Sequence, residues 1–141
     1  MKTLALLIAF TLTSVAQAEV HDTYAKAYAA AAKDGKPLVV LISATAWCPP
    51  CRALHPTIER MKKDGSFDNV HFYYLDYDKE TKLANNLDDK KKVPVFVKFT
   101  DVHKTATFLR GNKSKQQIIK FLGEKRYEFK FKQPPSRFKS L

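Results

Sequence analysis

A chain of 141 residues, 45% hydrophobic and 28% charged, is long enough for one domain with a real core. Its 25 lysines and arginines against 14 acids give a net charge of +11, a balance that favours acidic partners, anionic surfaces or nucleic acid. No nucleic-acid motif accompanies that charge, and 2 cysteines are too few for a disulfide-stapled scaffold, so a nucleic-acid binder and a cysteine-rich knot are set aside and the charge reads as a solvated basic surface.

The chain opens on Met1-Lys2, an apolar run from Leu4 to Phe10 that continues through Leu12 and Val15, and Ala16-Gln17-Ala18. A basic start, a short apolar stretch and a small-x-small ending predict a secretory signal peptide cut after Ala18. The run is short for a membrane span, although an uncleaved anchor or an N-terminal core helix is the alternative. No cysteine lies near the cut, so a lipoprotein anchor is not expected. The expected organisation is a signal peptide over 1–18, a domain over 19–123 and a basic aromatic tail over 124–141. The expected address is the periplasm or the secreted space, where disulfides form and persist.

An alanine-rich helix is predicted from Asp22 to Lys33, capped by Asp22 or Thr23, with Tyr24, Tyr28 and Ala31 along one face. Asp34-Gly35-Lys36-Pro37 breaks it. Leu38-Val39-Val40-Leu41-Ile42 is a β-branched apolar run and reads as a buried strand. Next comes Trp47-Cys48-Pro49-Pro50-Cys51-Arg52, which holds both cysteines and the one tryptophan. After it, Ala53, Leu54, Ile58 and Met61 fall at helical spacing, with Pro56 expected to kink the helix and Asp64-Gly65 to end it. Val70 to Asp76 reads as a second strand. Lys79 to Asp89 suits a short helix with Leu83 and Leu87 as its apolar pair, and Lys90-Lys91-Lys92 is a solvated connector. Val95–Phe99 and Thr105–Leu109 form a predicted antiparallel hairpin. A last helix over Ser114–Leu122 follows, with Ile118, Ile119 and Leu122 facing in. In the tail Tyr127, Phe129 and Phe131 alternate with Glu128, Lys130 and Lys132. That pattern allows an edge strand, and we read it as a solvated or loosely docked extension able to make weak contact with an anionic surface.

The cysteines therefore stand where a strand ends and a helix begins. First-turn N–H groups lack intrahelical partners and the helix dipole favours negative charge, so a Cys48 thiolate is stabilised there. Pro49 and Pro50 fit the first turn but withdraw two donors, which leaves the Cys51 N–H as the best backbone donor to Cys48. Two intervening residues allow a small Cys48–Cys51 disulfide ring that opens and closes without refolding the domain. We expect Cys48 as the exposed nucleophile and Cys51 as the buried resolving thiol. Two rival readings are weaker. Zinc needs four ligands, and there is no second cysteine pair, while His21, His55, His71 and His103 are scattered without ligand spacing. A purely structural staple across so short a loop removes little chain entropy. His55, four residues after Cys51, reads as a surface histidine.

Strand, Trp47-Cys48-x-x-Cys51, a helix with Pro56, then Val93-Pro94 ahead of a hairpin and a terminal helix resemble thioredoxin over roughly Leu38 to Leu122. The resemblance implies an α/β fold, a central mixed sheet of at least four strands flanked by helices. A further N-terminal strand, common in the family, is not legible between Glu19 and Pro37. It also implies that Val93-Pro94 is a cis-proline loop facing the dithiol, whose backbone pairs with an extended substrate segment, with Trp47 and Gly111 beside the same groove. One departure stands out: the family usually buries an acid six residues before the nucleophile, and here that position is Ile42. Asp76 and Asp78 lie nearby in the expected topology and read as loop residues. The expected function is thiol–disulfide exchange with protein substrates, with no cofactor and no metal, in a monomer reset by a redox partner. Pro49-Pro50, with no histidine between the cysteines, resembles reductants more than strong oxidases. A disulfide-forming oxidase, or a binding or chaperone module acting through the basic surface and tail, are the alternatives.

Overall fold

The computed structural model describes residues 19–104 and 106–123. The expected leader and tail lie outside the described residues. In chain order the elements are β1 (Glu19–Val20), α1 (Tyr24–Asp34), β2 (Leu38–Ser43), α2 (Pro49–Lys63), β3 (His71–Asp76), α3 (Thr81–Leu87), β4 (Val95–Phe99), β5 (Ala106–Arg110) and α4 (Lys115–Gly123).

The strands form one mixed sheet in the order β1-β3-β2-β4-β5. β1 and β2 run parallel to β3, whereas β2–β4 and β4–β5 are antiparallel. All six residues of β2 are buried, which is why the run is continuously apolar rather than alternating. Its odd and even positions supply opposite faces. Val39 and Leu41 pack with Phe72, Phe96 and the inner sides of α2 (Leu54, Ile58, Met61) and α4 (Ile118, Phe121). Leu38, Val40 and Ile42 pack with Leu75, Val95, Val97 and the small faces of α1 (Ala27, Ala31) and α3 (Ala84). Helices thus cover both faces.

The helix ends obey local chemistry. Thr23 caps α1, its side chain accepting from the Lys26 N–H, and Gly35 closes that helix in the left-handed conformation at φ 74°. α2 remains one element through Pro56 and stops at Asp64. Lys98, buried on β4, donates to the carbonyls of Phe121 and Leu122 and so ties the last turn of α4 to the sheet.

Three expectations need correction. The N-terminal strand exists: β1 is two residues long and pairs Glu19 with His71 and Val20 with Phe72. Ile119 faces solvent at 45% exposure and Phe121 takes the inner position, because 118, 121 and 122 share one helical face. The histidines are not all scattered. His71 Nδ1 and His21 Nε2 are 2.9 Å apart, and His71 Nε2 is 2.9 Å from both Asp34 carboxylate oxygens. A carboxylate only accepts, so Nε2 carries the proton and Nδ1 of a neutral His71 ring accepts from His21.

Candidate active site

β2 delivers the chain to one end of the sheet. The buried Ala44 follows it, and the Ala44 carbonyl accepts from the Cys48 N–H at 3.0 Å, closing the turn that aims Cys48 at the start of α2. Cys48 is the N-cap, in extended backbone (φ −105°, ψ 102°), with Pro49 and Pro50 as the first two helical residues. Proline is tolerated there because those N–H groups have no helical partner. The Cys51 N–H donates to Cys48 Sγ at 3.2 Å. The two cysteines form a disulfide with Cα atoms 5.2 Å apart.

The expected contrast of an exposed and a buried cysteine needs correction. Both residues are buried, Cys48 at 4% and Cys51 at 1%, against Ala44, Tyr77 and Val93. Trp47 beside them is 54% exposed. Its Nε1–H donates to both carboxylate oxygens of Asp78 at 3.0 Å, and Tyr77 meets the ring edge-on at 6.2 Å. The indole is therefore held in one orientation while about half of the residue stays exposed.

The second wall comes from the loop that enters β4, the antiparallel neighbour of β2. The Val93–Pro94 peptide is cis, and the Val93 carbonyl oxygen lies 3.7 Å from Cys48 Sγ. In the disulfide this is a contact without a hydrogen; a reduced Cys48 thiol could donate across it. The Gly111 N–H donates to the Pro94 carbonyl at 2.8 Å, and Gly111 has φ 85°, a conformation open to glycine at no steric cost. Cys48 with Val93 and Pro94 with Gly111 are thus joined by direct contacts at the expected groove, and Tyr77 touches both Trp47 and the cysteine pair, although 64 residues separate Trp47 from Gly111 in the chain.

Three contacts around this groove carry no sequence signal. The Arg52 guanidinium donates to the carbonyls of Thr45 (3.1 Å) and Ala46 (3.3 Å), pinning the loop before Cys48. Arg110 pairs with Asp88 through two N–H groups at 2.5 and 2.8 Å. Burial alone would raise the Asp88 carboxyl, and the Arg110 guanidinium with the Lys90 N–H outweighs it, holding Asp88 below the usual carboxylate range. Tyr77 packs against the cysteine pair while its hydroxyl donates to Asn85 Oδ1 at 3.2 Å.

The position of the family's usual acid is dry. Ile42 is 2% exposed, between Leu75 on β3 and Val95 on β4. Asp76 ends β3 and accepts from the Asp78 N–H, so its first role is to shape the turn that carries Asp78 to Trp47. His55 stands outside the groove, edge-on to Tyr74 at 6.4 Å and 3.9 Å from Glu59.

A family model described as Thioredoxin matches residues 19–124. A thioredoxin from Aspergillus fumigatus is 33% identical over 91 residues, which cover 64% of this chain and 81% of that protein. One from Ictalurus punctatus is 31% identical over 102 residues, covering 70% of this chain and 94% of that protein. The X-ray structure of Fasciola hepatica thioredoxin superposes with a TM-score of 0.58 at 25% identity, over 74% of this chain and 95% of that one. The dithiol geometry and these likenesses lead to one conclusion: the chain belongs to the thioredoxin family and is a thiol–disulfide oxidoreductase.

Proposed function

We propose that the protein is exported and acts as a disulfide reductase on protein substrates, with Cys48 as nucleophile and Cys51 as resolving thiol. One observation carries the direction. Among the described residues a single backbone N–H, that of Cys51, reaches the Cys48 sulfur, because Pro49 and Pro50 have none to offer. The Val93 carbonyl on the other side is an acceptor and disfavours an anion. A thiolate with one donor and the helix dipole is stabilised only modestly. A modestly stabilised thiolate makes a poor oxidant, since strong oxidants owe their potential to a stable reduced form.

The steps follow from thiol–disulfide exchange. The Cys48 thiolate attacks one sulfur of a substrate disulfide, forming a Cys48–substrate disulfide and expelling the other substrate sulfur as a thiolate that takes up a proton. Cys51, deprotonated, attacks Cys48 Sγ and releases the second substrate thiol. Two electrons and two protons pass to the substrate, and the Cys48–Cys51 disulfide remains. A dithiol reductant must then reset it. The cis Val93–Pro94 edge and Gly111 would hold an extended substrate segment, with the exposed part of Trp47 against its apolar side chains.

The reduction potential in glutathione buffers, read by Trp47 fluorescence, tests the direction. A value near or below about −220 mV is expected, and one near about −120 mV would mean a disulfide-forming oxidase. Export is tested by fractionation and N-terminal sequencing, with Glu19 expected as the first residue of the mature chain.

A further inference from the structure

We propose that the groove selects target disulfides lying in acidic segments. The inference rests on the reading of Val93–Pro94 as the substrate-docking edge, and it concerns which substrates that edge prefers.

Lys90, Lys91 and Lys92 are all exposed and run directly into Val93, whose carbonyl touches Cys48 Sγ. Consecutive Cα atoms are about 3.8 Å apart, so the Cα atoms of all three lysines lie within about 11 Å of that of Val93. The run is tied at both ends. Before it, Asp88 is clamped by Arg110 and accepts from the Lys90 N–H. After it, Pro94 is bonded to Gly111, the next residue along from Arg110. The same two segments, 88–92 and 110–113, hold five basic and two acidic side chains, and Arg110 neutralises one of the acids. Asp89 is then left against Lys90, Lys91, Lys92 and Lys113.

The backbone adds an independent sign. Lys91 has φ 51°, the one non-glycine residue among those described with a positive φ. Glycine or asparagine occupies that region with less strain, and strained residues concentrate at ligand clamps and active sites. A lysine here presents charge at a conformational cost. Arg52, exposed and donating to the Thr45 and Ala46 carbonyls, adds a further cation beside the loop that leads into Cys48. The acid nearest the exposed indole, Asp78, is engaged with Trp47 Nε1. Aspartates or glutamates within a few residues of a target cysteine would lie among these cations. The attraction would act over several ångströms of solvent, raising the encounter rate and fading with salt.

The test is single-turnover reduction, by the dithiol form of the full-length protein, of three disulfide peptides of equal length whose cysteines are flanked by aspartate, asparagine or lysine. The acidic peptide is expected to react about three- to tenfold faster than the neutral one at low ionic strength, and the basic peptide slowest. The spread should collapse at about 0.5 M salt, where the Debye length is shorter than the charge separations. Combining Lys90→Gln, Lys91→Gln and Lys92→Gln should bring the acidic-to-neutral ratio towards one. Should that variant misfold, Lys92→Gln alone must lower the ratio in the same direction. Equal rates on all three peptides, or a ratio that survives the lysine replacements, would overturn the inference while leaving the reductase reading intact. Failure to reduce even the neutral peptide would take down both.

Discussion

The two ends of the β2–β3 pair treat buried polarity in opposite ways. At the Leu38–His71 end a histidine only 1% exposed is fully engaged by Asp34 and His21, joining α1, β3 and the residue just after β1. At the Ser43–Asp76 end, beside the dithiol, the corresponding interior position is Ile42, and the cysteines pack against Ala44, Tyr77 and Val93. On this strand pair the buried ionisable side chain sits where it fastens chain segments together, and the buried polar group at the dithiol end is the neutral hydroxyl of Ser43. The lesson is that a buried ionisable cluster is no guide to the reacting centre in this molecule; the working end is marked instead by an open indole, a carbonyl edge and a helix N-terminus.

The bluntest way to sharpen that contrast is Cys48→Ala, which should drop insulin-type disulfide reduction to the uncatalysed background in a turbidity assay. Retained turnover would place the chemistry elsewhere. Making the dry end polar comes next. Ile42→Asp should cost on the order of 3 kcal/mol in urea unfolding, because the carboxyl has no partner among Leu75 and Val95. Burial raises its folded pKa, so the loss should grow as pH rises above about 4, the unfolded value. In the molecules that remain folded, the new carboxylate should speed the attack of Cys51 on a trapped mixed disulfide.

Arg110→Met should cost about 2–3 kcal/mol by stranding the Asp88 carboxylate, whose side chain is 4% exposed. Asp88 is depressed in the folded protein, so the wild-type advantage is complete above the unfolded value near pH 4 and disappears as pH falls through the lower folded value. An Arg110→Met deficit that stays constant between pH 7 and pH 2 would exclude this pair as its source. At the opposite end His71→Phe should cost about 1–2 kcal/mol and hasten amide exchange at His21, whose N–H donates to the Phe72 carbonyl at 3.1 Å. Its rate of disulfide reduction per folded molecule should match the parent; a large drop would mean that the two ends are coupled. The smallest effect runs the other way. Lys91→Gly should stabilise the fold by about 0.5–1 kcal/mol by relieving the left-handed strain, while lowering the preference for acidic peptides.

Much of this was legible from local chemistry. The strand-to-helix placement of Cys48, the Cys51 N–H as its donor, the hairpin and the Thr23 cap all follow from residues within a few positions of one another. The cis Val93–Pro94 loop and Gly111 came from resemblance, since nothing near them in the chain points to Cys48. What escaped was short or distant. β1 is two residues long, too short to display any alternation. His21 and His71 are 50 residues apart and Trp47 and Asp78 are 31 apart, and each pair meets because β3 runs parallel to β1 and to β2. An N-cap position suggests an open Cys48, whereas Val93 and Tyr77 pack against it. Residues 118, 119 and 122 also satisfy a loose helical spacing, and the choice between 119 and 121 depends on where the sheet sits.

The strand order has a consequence for how the molecule is born. Both neighbours of β2 lie later in the chain, β3 from His71 and β4 from Val95. A polypeptide appearing amino end first, from a ribosome or through a membrane pore, therefore presents its most apolar strand long before either flanking strand has emerged. Until residue 99 has followed, at least one edge of β2 stands bare, and a bare apolar edge is an invitation to self-association. Stalled or clipped chains ending between Asp76 and Val95 should accumulate as aggregates, or cling to holdase chaperones, while chains reaching the end of α4 fold freely.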